Sequence, residues 1–162
     1  MLKEYEVSRF DFNHNFIDMG KLFIEQKEAK ITLTYSEERS NINYTVWDYY
    51  HHLKALEKLR LIIEVEHNSL INCSGCRKDY NYRPTGNILG QLHSADPWNP
   101  DLIDCYSPTG KTELITKVAS QMECYEEFLA GRREEKTISK KKQIGLIGLS
   151  QKKLQLQKDN EE

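Results

Sequence analysis

The spacing of apolar residues between Val46 and Ile63 constrains this chain more than any other feature. Tyr49, Leu53, Leu56, Leu59 and Ile63 recur at intervals that put their side chains on one face of a helix, and Val46 and Tyr50 widen the stripe. Thr45 suits an N-cap, with Asp48 at the acidic position of a capping box and Asn43 as a competing start. Ala55 to Arg60 are strong helix formers, whereas the branched Ile62, Ile63 and Val65 fit an exit segment. The spacing therefore predicts a helix from Val46 to near Leu61. A stripe of that width has to be covered by a second layer.

The residues before it supply the layer. Tyr5, Val7, Phe10 and Phe12 alternate except for a one-residue slip at Arg9, and Asn13-His14-Asn15 reads as a turn. Phe16-Ile17, Leu22 to Ile24, and Ala29 to Tyr35 are further strand candidates, with Met19-Gly20 and Gln26-Lys27-Glu28 as connections. Ile31, Leu33 and Tyr35 fall on one face of the last strand. The expected result is an antiparallel meander.

Beyond the helix the period changes. Leu70 to Ser74 alternates as a short strand, Ser74-Gly75 is a turn, and Arg77 to Tyr82 is a candidate hairpin partner. Ile88, Leu89 and Leu92, then Leu102 to Tyr106, are candidate short strands, separated by Asp96-Pro97-Trp98-Asn99-Pro100, whose two prolines exclude regular structure. From Thr112 to Ala130 the residues Leu114, Ile115, Val118, Met122, Tyr125 and Leu129 form a second core-facing stripe, with Gly131 as its natural stop. The fold class is α+β: an antiparallel β meander packed against two amphipathic helices, with a basic C-terminal extension. Residues 1–130 read as one domain, and 131–162 as an extension that docks, swaps into a second copy or stays mobile.

Charge is divided along the same line. Residues 1–130 hold 14 Lys and Arg against 20 Asp and Glu, a balance of −6, and the remaining residues hold 9 against 5, a balance of +4. No apolar run approaches the roughly 18–20 residues of a membrane span. The first residues lack the apolar stretch and cleavage pattern of a signal peptide, so the expectation is a cytoplasmic protein with free thiols and no membrane partner.

Chemical motifs are few. Cys73-Ser74-Gly75-Cys76 has the spacing of half a zinc site or of a redox pair, but Cys105, Cys124 and His93 offer no second close pair, and no helix follows to stabilise a thiolate. Ordinary thiols are the simpler reading, and no metal or cofactor is expected. His51 and His52 are adjacent and diverge on a helix, without metal-binding spacing. Gly110-Lys111-Thr112 ends like a phosphate loop, yet Cys105 stands where that motif needs glycine. Asp79, Asp96, Asp101 and Asp104 are candidate acids for catalysis, with nothing to pair them. An enzyme stays open but is disfavoured.

Binding roles fit better. Arg77, Asp79, Tyr80, Tyr82, Arg83, Asp96 and Trp98 bring together the aromatic and arginine residues that anchor protein interfaces, and are the candidate protein-binding residues. Glu64, Glu66, Asp79, Asp96 and Asp101 would complement a basic partner such as a nuclease toxin. The alternative is a phage or mobile-element regulatory protein that contacts nucleic acid through Arg132, Arg133, Lys140, Lys141 and Lys142. A homodimer is a further option.

The order of a β meander, a helix and then LINCSGCRKDYNYRPTG resembles small uncharacterised bacterial proteins of toxin and immunity gene clusters. The resemblance is carried by Cys73, Gly75, Arg77, Asp79, Thr85 and Gly86 and covers residues 50–90; Cys76 and the run from His93 to Pro100 depart from it. It implies a cytoplasmic, immunity-like antagonist that binds and neutralises a cognate toxin.

Overall fold

The structure, a computed structural model, describes residues 1–82, 87–96, 98 and 101–135. The chain divides into two units, Met1–Tyr125 and Glu126–Glu162.

The first unit is α+β. Strands β1 (Leu2–Asp11), β2 (Phe16–Lys27), β3 (Lys30–Glu37) and β4 (Ile42–Tyr49) lead into helix α1 (His52–His67), and β5 (Ser69–Ile71) returns beside β1. The sheet order is β4-β3-β2-β1-β5, antiparallel throughout. The turn before β2 forms because the Asp11 carboxylate accepts the backbone N–H groups of Asn13 and Asn15, each at 2.9 Å. The slip at Arg9 is real: the register between β1 and β2 shifts between Arg9 and Phe10.

Two expectations from spacing need correction here. Val46 to Tyr49 is not the start of the helix but the end of β4, where Ile42 and Val46 point inward and Asn43, Thr45, Trp47 and Tyr49 point outward. Pairing with all of β3 outweighs the local helical spacing. Tyr50, at φ 69°, breaks the strand, and the helix begins at His52 and runs through Ile62, Ile63 and Val65 to a left-handed cap at Asn68. Likewise Met19-Gly20 is not a connection but the middle of β2. Gly20 is required there because the Tyr35 ring lies across it, so that an added Cβ would sit 2.5 Å from the ring.

Val7, Leu22, Ile24, Ile31, Leu33 and Val46 on the inner sheet face meet Leu53, Leu56, Leu59 and Ile63 of α1, all buried. Inside this layer lies an ion pair. Arg9 Nε and Nη2 donate to the two Glu37 carboxylate oxygens at 2.6 and 3.0 Å, Arg9 Nη1 donates to Ser69 Oγ at 2.7 Å, and the Tyr35 hydroxyl donates to Glu37 at 2.5 Å.

The second helix starts later than its stripe implies. Thr112–Leu114 is a short 3-10 turn, Ile115 bridges to Arg77, and α2 occupies 118–135. The segment before α2 is held extended, because Lys78 N–H donates to Leu114 O and Thr116 N–H to Cys76 O. Glu64 of α1 accepts the otherwise orphaned N–H of Val118 at 3.2 Å. Gly131 does not end the helix, which continues to the last described residue. No helix among the described residues is long and apolar enough to cross a membrane.

Candidate functional site

The segment after β5 does not form the hairpin with Arg77 to Tyr82 that its alternation predicts. It is instead a buried knot. Ser74–Cys76 forms a single 3-10 turn whose Ser74 and Gly75 N–H groups donate to Ser107 O and Cys105 O, at 2.7 and 2.8 Å. Asn72 exchanges two bonds with the Thr109 backbone. Gln121, fully buried on α2, donates to Gly75 O and Arg77 O at 2.7 and 2.8 Å and accepts from Arg60. A Cβ at Gly75 would lie 3.0 Å from both Cys105 and Leu56, tight enough that these neighbours would have to give by a few tenths of an ångström. Cys73, Cys76 and Cys105 are free thiols in the core. Hydrogen bonding to Cys76 and burial push the Cys73 thiol well up, and burial does the same to Cys105. Among the described residues no group of three or more His, Cys, Asp or Glu is arranged to hold a metal.

The candidate protein-binding residues part company accordingly. Arg77 is buried and forks onto Asp79 at 2.8 and 2.7 Å, with Thr109 at 3.4 Å. Burial would raise the Asp79 carboxyl, but the Arg77 guanidinium more than reverses this and holds it low. Tyr80 is buried, its hydroxyl donating to Ile103 O at 3.0 Å. Tyr82 is half-buried, and Arg83 lies outside the described residues. Asp96 and Trp98 do stand at the surface: Asp96 accepts the Trp98 N–H at 2.9 Å, and the indole is 95% exposed. Arg132 and Arg133 are exposed on α2, with Arg132 over the Phe128 ring, whereas Lys140, Lys141 and Lys142 lie outside the described residues. Of the acids proposed to face a basic partner, Glu66, Asp96 and Asp101 are exposed, but Glu64 is spent on Val118 and Asp79 on Arg77.

A different aromatic surface emerges at the end of β4. Trp47, Tyr49 and Tyr50 are 49%, 49% and 66% exposed, and the Trp47 and Tyr49 rings meet edge to face at 5.5 Å. Lys30 and Lys58 lie over Trp47, at 5.2 and 5.3 Å from its centroid, and Lys58 also reaches Trp47 O at 2.9 Å and Asp48 at 3.1 Å. The indole is thus held on a rigid strand by two cations. Tyr50 sits in the left-handed region that glycine or asparagine would occupy at lower cost. The signal is present in the run VWDYY, but the helical spacing places Tyr49 and Tyr50 on a core-facing stripe.

The polar side chains nearest to a catalytic cluster are bonded among themselves. His52 Nδ1 meets the Tyr106 hydroxyl at 2.8 Å and Nε2 meets Gln26 Oε1 at 3.2 Å, while the Tyr5 hydroxyl donates to Asp104. Burial lowers His52 and raises Tyr5 and Tyr106, so all three are held neutral. Comparison with family models, curated proteins and solved structures finds no match to this chain.

Proposed function

We propose that this chain is a non-enzymatic protein-binding module whose contact surface is the aromatic corner of Trp47, Tyr49 and Tyr50. The observation that carries the reading is Tyr50: a bulky residue held in a left-handed conformation with its ring mostly in solvent. Such a conformation costs roughly 1–3 kcal/mol, and neither core packing nor a side-chain hydrogen bond of Tyr50 repays it in the described structure. Trp and Tyr are the side chains that most often dominate interface energy, and a ring already fixed by Lys30 and Lys58 loses little freedom on binding. The acidic balance of residues 1–130 favours a partner with basic surface. An immunity-like antagonist of a cognate bacterial toxin is the specific form that the sequence resemblance implies.

The test is capture from a lysate of the source cell at about 0.5 M salt, where exposed charge contacts are largely screened, after nuclease treatment. One stoichiometric protein, lost with Trp47→Ser and Tyr50→Ser together, supports the reading. Recovery of nuclease-sensitive material alone, at lower salt and dependent on residues 132–158, favours nucleic-acid contact through the tail.

A further inference from the structure

The outer edge of β4 is open over a short, bounded stretch. β4 is the first strand in the sheet order and, among the described residues, pairs with β3 alone. Tyr50 N–H donates to Ala29 O, so the alternation of an antiparallel ladder commits Ile42, Tyr44, Val46 and Asp48 to β3. The backbone N–H and C=O groups of Asn43, Thr45, Trp47 and Tyr49 then point away from the sheet. Two side-chain contacts agree with this: Trp47 O accepts from Lys58 at 2.9 Å, and Tyr49 N–H donates to the Asp48 carboxylate at 2.6 Å. Lys58 also pairs with Asp48 at 3.1 Å, so this half of the edge is guarded by charge. Asn43 and Thr45 have no such guard. Both are exposed, and residues 43–47 include no proline, glycine or charged side chain to deter pairing.

The helix beside this edge is apolar where it faces out. Lys58 reaches across from α1 to β4, and Leu61 and Val65 follow it by three and seven residues, which puts them on the same side of the helix. They are 45% and 75% exposed. The open stretch also has fixed ends. Asn41, at φ 51°, belongs to the turn from β3, and Lys58 closes the edge at Trp47. A strand added here without displacing Lys58 therefore bonds through two residues, one on either side of Tyr44. A long strand from another protein would have to break the Lys58 contact. The same stretch of β4 from a second copy would not.

We propose that a second copy of this chain pairs its β4 antiparallel with this edge, about a two-fold axis at Tyr44. Asn43 then faces the partner's Thr45, and Thr45 faces the partner's Asn43. Each pair exchanges two hydrogen bonds, so every open N–H and C=O of the stretch is satisfied while Lys58 keeps Trp47 O. The axis runs perpendicular to the sheet, which leaves both copies of α1 on one face, with Leu61 and Val65 opposed across it. This inference is independent of the aromatic corner, because Trp47 and Tyr49 lie beyond the paired stretch and stay free for another partner.

Sedimentation velocity on the full chain over roughly 1–100 µM, with amide hydrogen exchange at both ends of that range, tests this. Wild type passes from monomer to dimer, and the Asn43 and Thr45 amides become protected only as it does. Thr45→Pro removes the outward N–H without breaking the ladder to β3 and leaves a monomer, whereas Thr45→Val keeps that N–H and dimerises like wild type. Val65→Glu carries the test independently of any effect of proline on folding. Its position is 75% exposed, so the variant keeps the wild-type circular dichroism spectrum and melting transition. It weakens dimerisation at least about tenfold by opposing two carboxylates across the axis. A wild-type monomer throughout the range, a dimer of wild-type affinity in Val65→Glu, or Thr45→Val behaving as Thr45→Pro would each overturn the proposal. Protection of Asn43 and Thr45 that is independent of concentration would mean that the chain covers its own edge, and would overturn it as well.

Discussion

Replacing Arg9 by methionine would strand a carboxylate in the core. Arg9 and Glu37 are 5% and 2% exposed, and the guanidinium supplies two of the three hydrogen bonds that reach the Glu37 oxygens, the third coming from Tyr35. Breaking a buried pair from one side costs roughly 3–5 kcal/mol, because the remaining charge keeps its desolvation penalty and loses its partner. For a chain of this length that corresponds to a fall in melting temperature of roughly 6–20 °C. Arg9→Met combined with Glu37→Leu removes the charge as well as the bond, and most of the loss is recovered. Urea unfolding of wild type, both single variants and the double variant closes the cycle. The expected coupling is at least about 2 kcal/mol in the sense that the double variant is more stable than the sum of the singles predicts. Additive losses would refute the argument, since they would mean that each side chain is stabilised by its surroundings and not by the other.

Stability should also fall on mild acidification through His52. Burial lowers its folded value below the ordinary 6.5, so its contribution is fully present above that value and is lost as pH falls toward the folded one; His93 acts in the same direction. His52→Gln should therefore flatten the change in urea midpoint between about pH 7.5 and 5.5, and an unchanged slope would remove His52 from the account. Gly20→Ala should cost roughly 1–3 kcal/mol by driving the Tyr35 ring off β2, read by denaturant unfolding. Thiol titration with an aromatic disulfide reagent should find Cys124 reactive in the folded protein and Cys73, Cys76 and Cys105 reactive only after unfolding.

Much of the fold was legible in the chain. The meander, the turn at Asn13 to Asn15, the slip at Arg9 and the stripe from Leu53 to Ile63 all stand where local pattern puts them. The failures share a cause. Val46 to Tyr50 satisfies both a helical and an alternating pattern over so short a window, and only the eight-residue ladder with β3 decides between them. Gly20 reads as a turn until Tyr35 is seen to cover it. Arg77 and Tyr80 read as surface residues because Ile115, which bridges to Arg77, and Ile103, which accepts from Tyr80, are distant in sequence. The place of the CxxC at the centre of the knot depends on Ser107, Cys105 and Gln121, which no local spacing reveals.

The affinity of the captured partner for single-surface variants tests the central claim most directly. Trp47→Ser with Tyr50→Ser should weaken binding by at least about 100-fold, the scale of two interface anchors, at unchanged stability, while Trp98→Ala and truncation after residue 131 leave it within about threefold. Unchanged affinity in the Trp47 and Tyr50 variant, with loss on truncating the tail, would contradict the assignment of the aromatic corner.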